Sequence, residues 1–386
     1  MVIIPASNAV TASLFRISKR FEGWENKQRK LSARVSTRVS DWQLIKELED
    51  WGYDAAWIPD TQMMWSDCYA VMALAAANTS KIRLGTGVAV PGTRIAPTTA
   101  AAISTINAIA PGRVFLGIGT GHTAMRVMGQ NPMPIKEFKE YVRVLRAMLN
   151  NEEVEYTYRK KSTWLKWQDH GTGFRNTEEA IPIYIAANGP KALATGGEYA
   201  DGLISVFNEQ PAVLEYNLSQ VRAGAEAAGR SLPGNFHTTA LASAVVVRPG
   251  EDLKTERVRQ VASSYVASAT HFVYEIWRFT KDDAVVPEYM KNVWEEYCDH
   301  VASFDVPEDR IHQVLHEGHC SYCPPAEMKF VTPEMIEGTH LVGTPEDIAS
   351  QLRECEKLGL NEVSLLPGLD HARDVLKEFA EEVIPL

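Results

Sequence analysis

The chain has 386 residues, 45% of them apolar and 23% charged, so it can bury a large core and is not disordered as a whole. Forty-nine Asp and Glu oppose 39 Lys and Arg, and the net charge of −10, with no local basic patch to reverse it, argues against a nucleic-acid partner. No run of eighteen apolar residues occurs, since the longest candidate, from Tyr69 to Ala77, stops at Asn78, Thr79, Ser80 and Lys81; no membrane-spanning helix is expected.

Ser13 to Ile17 reads as a first strand, and Val39 to Trp51 as a helix with Leu44, Ile45, Leu48 and Trp51 at helical spacing and Gly52 as its stop. Asp54 to Pro59 is an apolar run of the length of a buried parallel strand, which puts Asp60 at a strand's carboxyl end. Cys68 to Ala77 follows as a helix, and Lys81 to Pro91 as a strand whose interior Gly85 and Gly87 mark a bulge or barrel-corner curvature. Pro97 to Ala110 is a helix with proline in its first turn, Val114 to Ile118 a strand, and Phe138 to Leu149 a helix. Residues 151–180 are charged and aromatic and read as an irregular or hairpin excursion. Ile181 to Ala187 and Gly202 to Val206 are strands, each followed by a helix, at Lys191 to Glu198 and Glu215 to Ala228. Phe236 to Val247 is a seventh strand, followed by helical stretches at about 252–280, 285–303 and 307–318 in place of one crossover helix. Gly343-Thr344-Pro345-Glu346 then caps a helix reaching Lys357, Asn361 to Leu366 is an eighth strand, and an amphipathic helix closes the chain. Eight strand and helix units in this order predict an α/β fold of the TIM-barrel type, (β/α)8, as one domain over 1–386 with a helical insertion over 251–338. The rival is a doubly wound sheet with a separate helical domain.

Gly117-Ile118-Gly119-Thr120-Gly121 follows a strand and precedes a helix, so it is either a phosphate loop or a tight structural turn. It is not a dinucleotide fingerprint, which needs G-x-G-x-x-G in an early βαβ unit. Asn188-Gly189-Pro190-Lys191 is a second candidate anion loop or an ordinary helix cap, and on a barrel the two loops would share the carboxyl face where active sites lie. Asp60 is a candidate catalytic or hydrogen-bonding acid, with a helix cap as the plain alternative. His316, His319, Cys320 and Cys323 offer zinc-type side chains, but their spacing is poor for a zinc site and no metal is predicted. The segment is read instead as part of the insertion over the barrel mouth, with His319 touching substrate. There is no G-x-S-x-G elbow, P-loop or paired C-x-x-C, which removes serine hydrolases and P-loop enzymes. Five scattered cysteines and an apolar start whose first basic residue is Arg16 make a cytoplasmic protein the expectation.

Five motifs in order then carry a resemblance: Trp57-Ile58-Pro59-Asp60; Leu84-Gly85-Thr86-Gly87-Val88; Pro111-Gly112-Arg113 with Leu116 to Gly121; Ala187 to Lys191 with Ala200-Asp201-Gly202; and Gly343 to Glu346. Over residues 40–368 the chain resembles the bacterial luciferase-like superfamily of flavin and deazaflavin oxidoreductases, and most closely the branch containing methylenetetrahydromethanopterin reductase. The resemblance implies a homodimer that binds FMN or coenzyme F420 at the carboxyl end of the barrel. It implies that Gly87 and Val88 form a bulge, often with a non-proline cis peptide, behind the isoalloxazine ring. Thr120, Gly121, His122, Asn188, Gly189, Pro190 and Lys191 would hold the phosphate and ribityl chain.

One departure is that many F420-dependent alcohol and sugar phosphate dehydrogenases of the family have Asp-His after strand two, where this chain has Asp60-Thr61. A hydride-abstracting dehydrogenase is therefore disfavoured. The leading expectation is a two-component monooxygenase that uses molecular oxygen and reduced FMN supplied by a separate NAD(P)H:flavin reductase to oxygenate a small organic substrate. Met63, Met64, Trp65, Phe272, Tyr274 and Trp277 would keep water from the site, or are plain core, and Gln62 and His319 are candidate substrate contacts. The alternative is an F420-dependent reductase passing hydride to a pterin-like or unsaturated substrate; a third reading is a non-catalytic flavin-binding barrel.

Overall fold

A computed structural model describes residues 30–35, 37–169, 171–206 and 211–386. In chain order its elements are β1 (Lys30–Arg34), α1 (Trp42–Asp50), β2 (Ala55–Ile58), α2 (Cys68–Asn78), β3 (Arg83–Ala89), α3 (Ala96–Ile109), β4 (Val114–Ile118), α4 (His122–Arg126) and α5 (Ile135–Leu149). There follow β5 (Val154–Tyr158), β6 (Lys161–Leu165), β7 (Ile183–Ala186), α6 (Pro190–Tyr199), β8 (Gly202–Val206), α7 (Pro211–Ala227), β9 (His237–Ala242) and β10 (Ala244–Val246). The remainder is α8 (Glu256–Thr280), α9 (Lys291–Ala302), α10 (His312–Leu315), α11 (Pro333–Thr339), β11 (Leu341–Gly343), α12 (Pro345–Lys357), β12 (Glu362–Leu365) and α13 (Ala372–Glu382).

Eight strands close into a parallel barrel in the order β1-β12-β9-β8-β7-β4-β3-β2. The first is Lys30–Arg34, in register with Glu362–Leu365 on one side and with β2 on the other; Ser13 to Ile17 lies outside the described residues. The sequence hides β1 because its alternation is reversed from the usual expectation. Leu31 and Ala33 pack outward into the main apolar core, while Ser32 and Arg34 point into the barrel and bond polar partners there. The expected seventh strand is split: β9 belongs to the barrel, and after Ser243 the chain runs into β10, which pairs in parallel with β11. Helices α8 to α11 lie between β10 and β11 and have a core of their own around Val258, Tyr297, Phe330 and Ile336. The 151–180 excursion contains the antiparallel hairpin β5–β6, turning through Arg159 and Lys160 at positive φ.

Inside the barrel the bulk is aromatic. Trp57, Phe115 and Tyr184 form a cluster with Phe115 edge-on to Trp57 at 4.5 Å. Their rings occupy the space a side chain would need at three strand glycines: a Cβ at Gly85 would lie 2.0 Å from Phe115, one at Gly117 2.9 Å from Trp57, and one at Gly202 2.7 Å from Tyr184. The amino-terminal end is closed by Glu362, fully buried, which accepts hydrogen bonds from Trp57 Nε1 and Ser32 Oγ, both at 2.7 Å. His237 Nε2 lies 3.0 Å and Arg83 4.0 Å from its other oxygen. Burial alone would raise this carboxyl, but His237, Arg83 and Ser32 outweigh it and hold Glu362 down at about 2. Among the described residues no helix is long and apolar enough to cross a membrane.

Candidate active site

The carboxyl ends of the strands open onto a cavity of about 770 Å³, roofed by α8 and the loop after α10. Gly87 and Val88 of β3, Thr120 to His122 after β4, and Asn188 to Lys191 at the start of α6 all line it. The Gly87–Val88 peptide is cis. Gly121 caps α4 at φ +84°, and a Cβ there would also meet Val90 at 2.5 Å, so the loop is held close against β3. Gly189 and Pro190 start α6 with open space above the glycine, and Asn188, Pro190 and Lys191 are exposed at the rim.

Asp60 lines the cavity, but both its oxygens are engaged. Arg94 Nη1 donates to them at 2.8 and 2.7 Å and Val90 N–H donates at 3.2 Å, so Asp60 anchors the chain leaving β3. The helix cap at this end is Asp67, which accepts from Tyr69 and Ala70 N–H and also binds Arg94. Gln62, expected to touch substrate, is exposed and lines neither cavity; its amide donates to the Ala124 carbonyl at 3.0 Å and contacts Met128 Sδ. His319 does face the cavity, and burial pushes its imidazole down to about 4, leaving it neutral near pH 7.

The aromatic and methionine residues divide. Trp65 and Phe272 line the main cavity, with Trp65 Nε1 donating to Ser321 Oγ at 3.0 Å. Tyr274 and Trp277 pack instead with Trp294 inside the helical insertion. Met63 and Met64 line a second cavity of about 670 Å³, which shares His319 with the first.

Sequence reasoning missed Arg34. Its Nη1 donates to the Gly87 carbonyl at 3.1 Å and its guanidinium lies 5.2 Å from the Trp57 ring, at the floor of the main cavity. Nε and Nη2 are buried with no hydrogen-bond partner, and burial lowers the group to about 10. A buried guanidinium with two unused donors is costly unless an acceptor arrives. The available signal was an arginine two residues after a serine in a short alternating segment.

A family model described as luciferase-like monooxygenase matches residues 41–362. The 5,10-methylenetetrahydromethanopterin reductase of Archaeoglobus fulgidus is 29% identical over 321 residues, covering 83% of this chain and 86% of that protein. The F420-dependent glucose-6-phosphate dehydrogenase of Kineococcus radiotolerans is 33% identical over 199 residues, 48% of this chain and 58% of that one. The solved structure of the coenzyme F420-dependent tetrahydromethanopterin reductase of Methanopyrus kandleri superposes with a TM-score of 0.65 at 24% identity, over 93% of this chain and 99% of that one. Barrel, loops and sequence agree: the chain belongs to the luciferase-like monooxygenase family and is an oxidoreductase.

Proposed function

We propose that the chain is a coenzyme F420-dependent reductase that passes hydride to a pterin-like or otherwise unsaturated acceptor. The observation that carries this reading is the similarity to a methylenetetrahydromethanopterin reductase over 83% of the chain, whereas similarity to the sugar phosphate dehydrogenase covers about half of it. Thr61, at the position where the family resemblance implies histidine in many such dehydrogenases, points the same way.

The residues present suit a deazaflavin. Arg34, with two unused buried donors, would donate to the carbonyl oxygens of its ring, and the cis Gly87–Val88 peptide would back it. The Gly121 turn and the amino end of α6 with Lys191 would hold its phosphate. Reduced F420 supplies a hydride when bound. The chain's own part is to orient the ring and to exclude water with Trp65, Phe272 and Ile276. Asp60 is held by Arg94 and His319 is neutral, so neither is a ready proton donor. That favours an acceptor such as an iminium carbon, which takes hydride without a proton. A separate flavin reductase and molecular oxygen, expected with reduced FMN, play no part in this reading, which keeps the homodimer.

The second reading, a reduced-FMN monooxygenase, is favoured by the family's description. Anaerobic titration with FMN and F420, each oxidised and reduced, separates the two. Selective F420 binding, with hydride consumed only when an unsaturated acceptor is added, is expected. Tight binding of reduced FMN followed by rapid oxygen uptake on aeration would overturn the F420 reading.

A further inference from the structure

His271, from a distant helix, meets the neighbouring His316 and His319 between α8 and the loop after α10. His271 is on α8, and His316 and His319 sit at the two ends of a tight turn in which His319 N–H donates to the His316 carbonyl at 3.1 Å and Gly318 has φ +69°. One nitrogen from each ring lies within 4.8 Å of the other two. A tetrahedral zinc holds its nitrogens about 3.4 Å apart, given bonds of about 2.0–2.1 Å, so the rings draw together by up to about 1.4 Å when they share one ion.

The ring nitrogens are also poorly satisfied without a ligand. His271 Nδ1, both nitrogens of His316 and His319 Nδ1 are buried with no hydrogen-bond partner, as is Oε2 of the neighbouring Glu275. Buried polar groups are nearly always paired, and four such nitrogens at one point need an explanation. His271 Nε2 is 2.7 Å from Glu327 Oε2, a contact that fixes the ring and leaves Nδ1 without a partner. A carboxylate behind a histidine in this way is the usual outer support of a metal ligand. Glu275 Oε1 lies 3.4 Å from His316 Nε2 and adds a negative charge beside the cluster.

We propose that His271, His316 and His319 bind one divalent first-row transition metal, zinc or ferrous iron by ligand type, with Glu327 and Glu275 as supporting carboxylates. This replaces the sequence-level reading of the His and Cys residues at 316–323. Cys323 donates to the Pro324 carbonyl, and neither Cys320 nor Cys323 falls within the group of three ring nitrogens. Three imidazoles leave a coordination position open, as catalytic zinc sites do. His316 and His319 face the 670 Å³ cavity beside Met63, Met64 and Met128, so the open position takes an oxygen donor, a carbonyl or carboxylate, of a molecule held there.

The test uses the full chain without F420 or FMN, so its outcome is independent of the hydride-transfer reading. Protein stripped with a chelator and dialysed is titrated with Co²⁺ and then Zn²⁺. Expected are one Co²⁺ per chain with the intense visible bands of a low-coordinate N-ligated ion, bleached by one equivalent of Zn²⁺. His271→Gln and His319→Gln abolish the bands, and Glu327→Gln weakens Zn²⁺ binding roughly 10–100-fold. His371→Gln, outside the cluster, serves as the control and leaves them intact, and circular dichroism reports folding of every variant. Absence of the bands in the wild-type chain, or the same Co²⁺ binding in folded His271→Gln and His319→Gln, would overturn the site and leave these rings to be bridged by water.

Discussion

Replacing Glu362 by glutamine tests whether the polar plug at the amino end of the barrel is ionised. The amide keeps an oxygen for Trp57 Nε1 and Ser32 Oγ, so the change removes charge more than shape. Holding the carboxyl at about 2 rather than the ordinary 4.5 corresponds to about 3 kcal/mol of folding free energy at neutral pH. The folded value is depressed, so this stabilisation is complete above the unfolded value and is lost as pH falls towards 2. At about pH 3 roughly 2 kcal/mol of it is gone. Urea unfolding followed by far-ultraviolet circular dichroism should therefore show Glu362→Gln destabilised by about 3 kcal/mol at pH 7 and by only about 1 kcal/mol near pH 3. An equal penalty at both pH values would refute the reasoning, because it would mean that the folded protein holds Glu362 as a neutral acid or that the loss is one of packing.

Gly117→Ala puts a Cβ 2.3 Å from the Thr86 carbonyl oxygen, where backbone must yield, and should cost about 1–3 kcal/mol in the same unfolding assay. Gly234→Ala, with nothing within 4 Å, should change stability by less than about 0.5 kcal/mol. Arg34→Met removes the two unused donors, so F420 affinity in an anaerobic titration should fall about 10–100-fold while thermal stability of the cofactor-free chain holds or rises; unchanged affinity would detach Arg34 from cofactor binding. Arg94→Met leaves Asp60 buried beside the cavity without its cation, and a loss of about 3 kcal/mol in thermal unfolding is expected, with Asp60→Asn milder.

Seven of the barrel strands were legible because parallel strands covered by helices read as short apolar runs, as at Val114 to Ile118. Lys30–Arg34 was not, since two of its five residues serve the polar interior of the barrel. The glycine loops at 117–121 and 188–190 were visible because backbone shape is written into residue type. Asp60 was placed at the right strand end, but its pairing with Arg94 depends on a contact across 34 residues that no local pattern encodes. His271 and Glu275 read as ordinary helix positions and Glu327 lay outside any expected helix, and only the docking of the insertion turns them towards one point.

The short parallel ribbon β10–β11 gives the insertion an uncommon independence. Its two ends leave and rejoin the barrel side by side, pinned from Ala244 opposite Leu341 to Val246 opposite Gly343, so nearly a hundred residues depart from one spot and return to it. The closing cost of such a loop grows only slowly with its length. The roof over the cavity can therefore lengthen, shorten or be exchanged as a cassette while the strands beneath keep their register, and selectivity for what enters can be redesigned there without rebuilding the barrel.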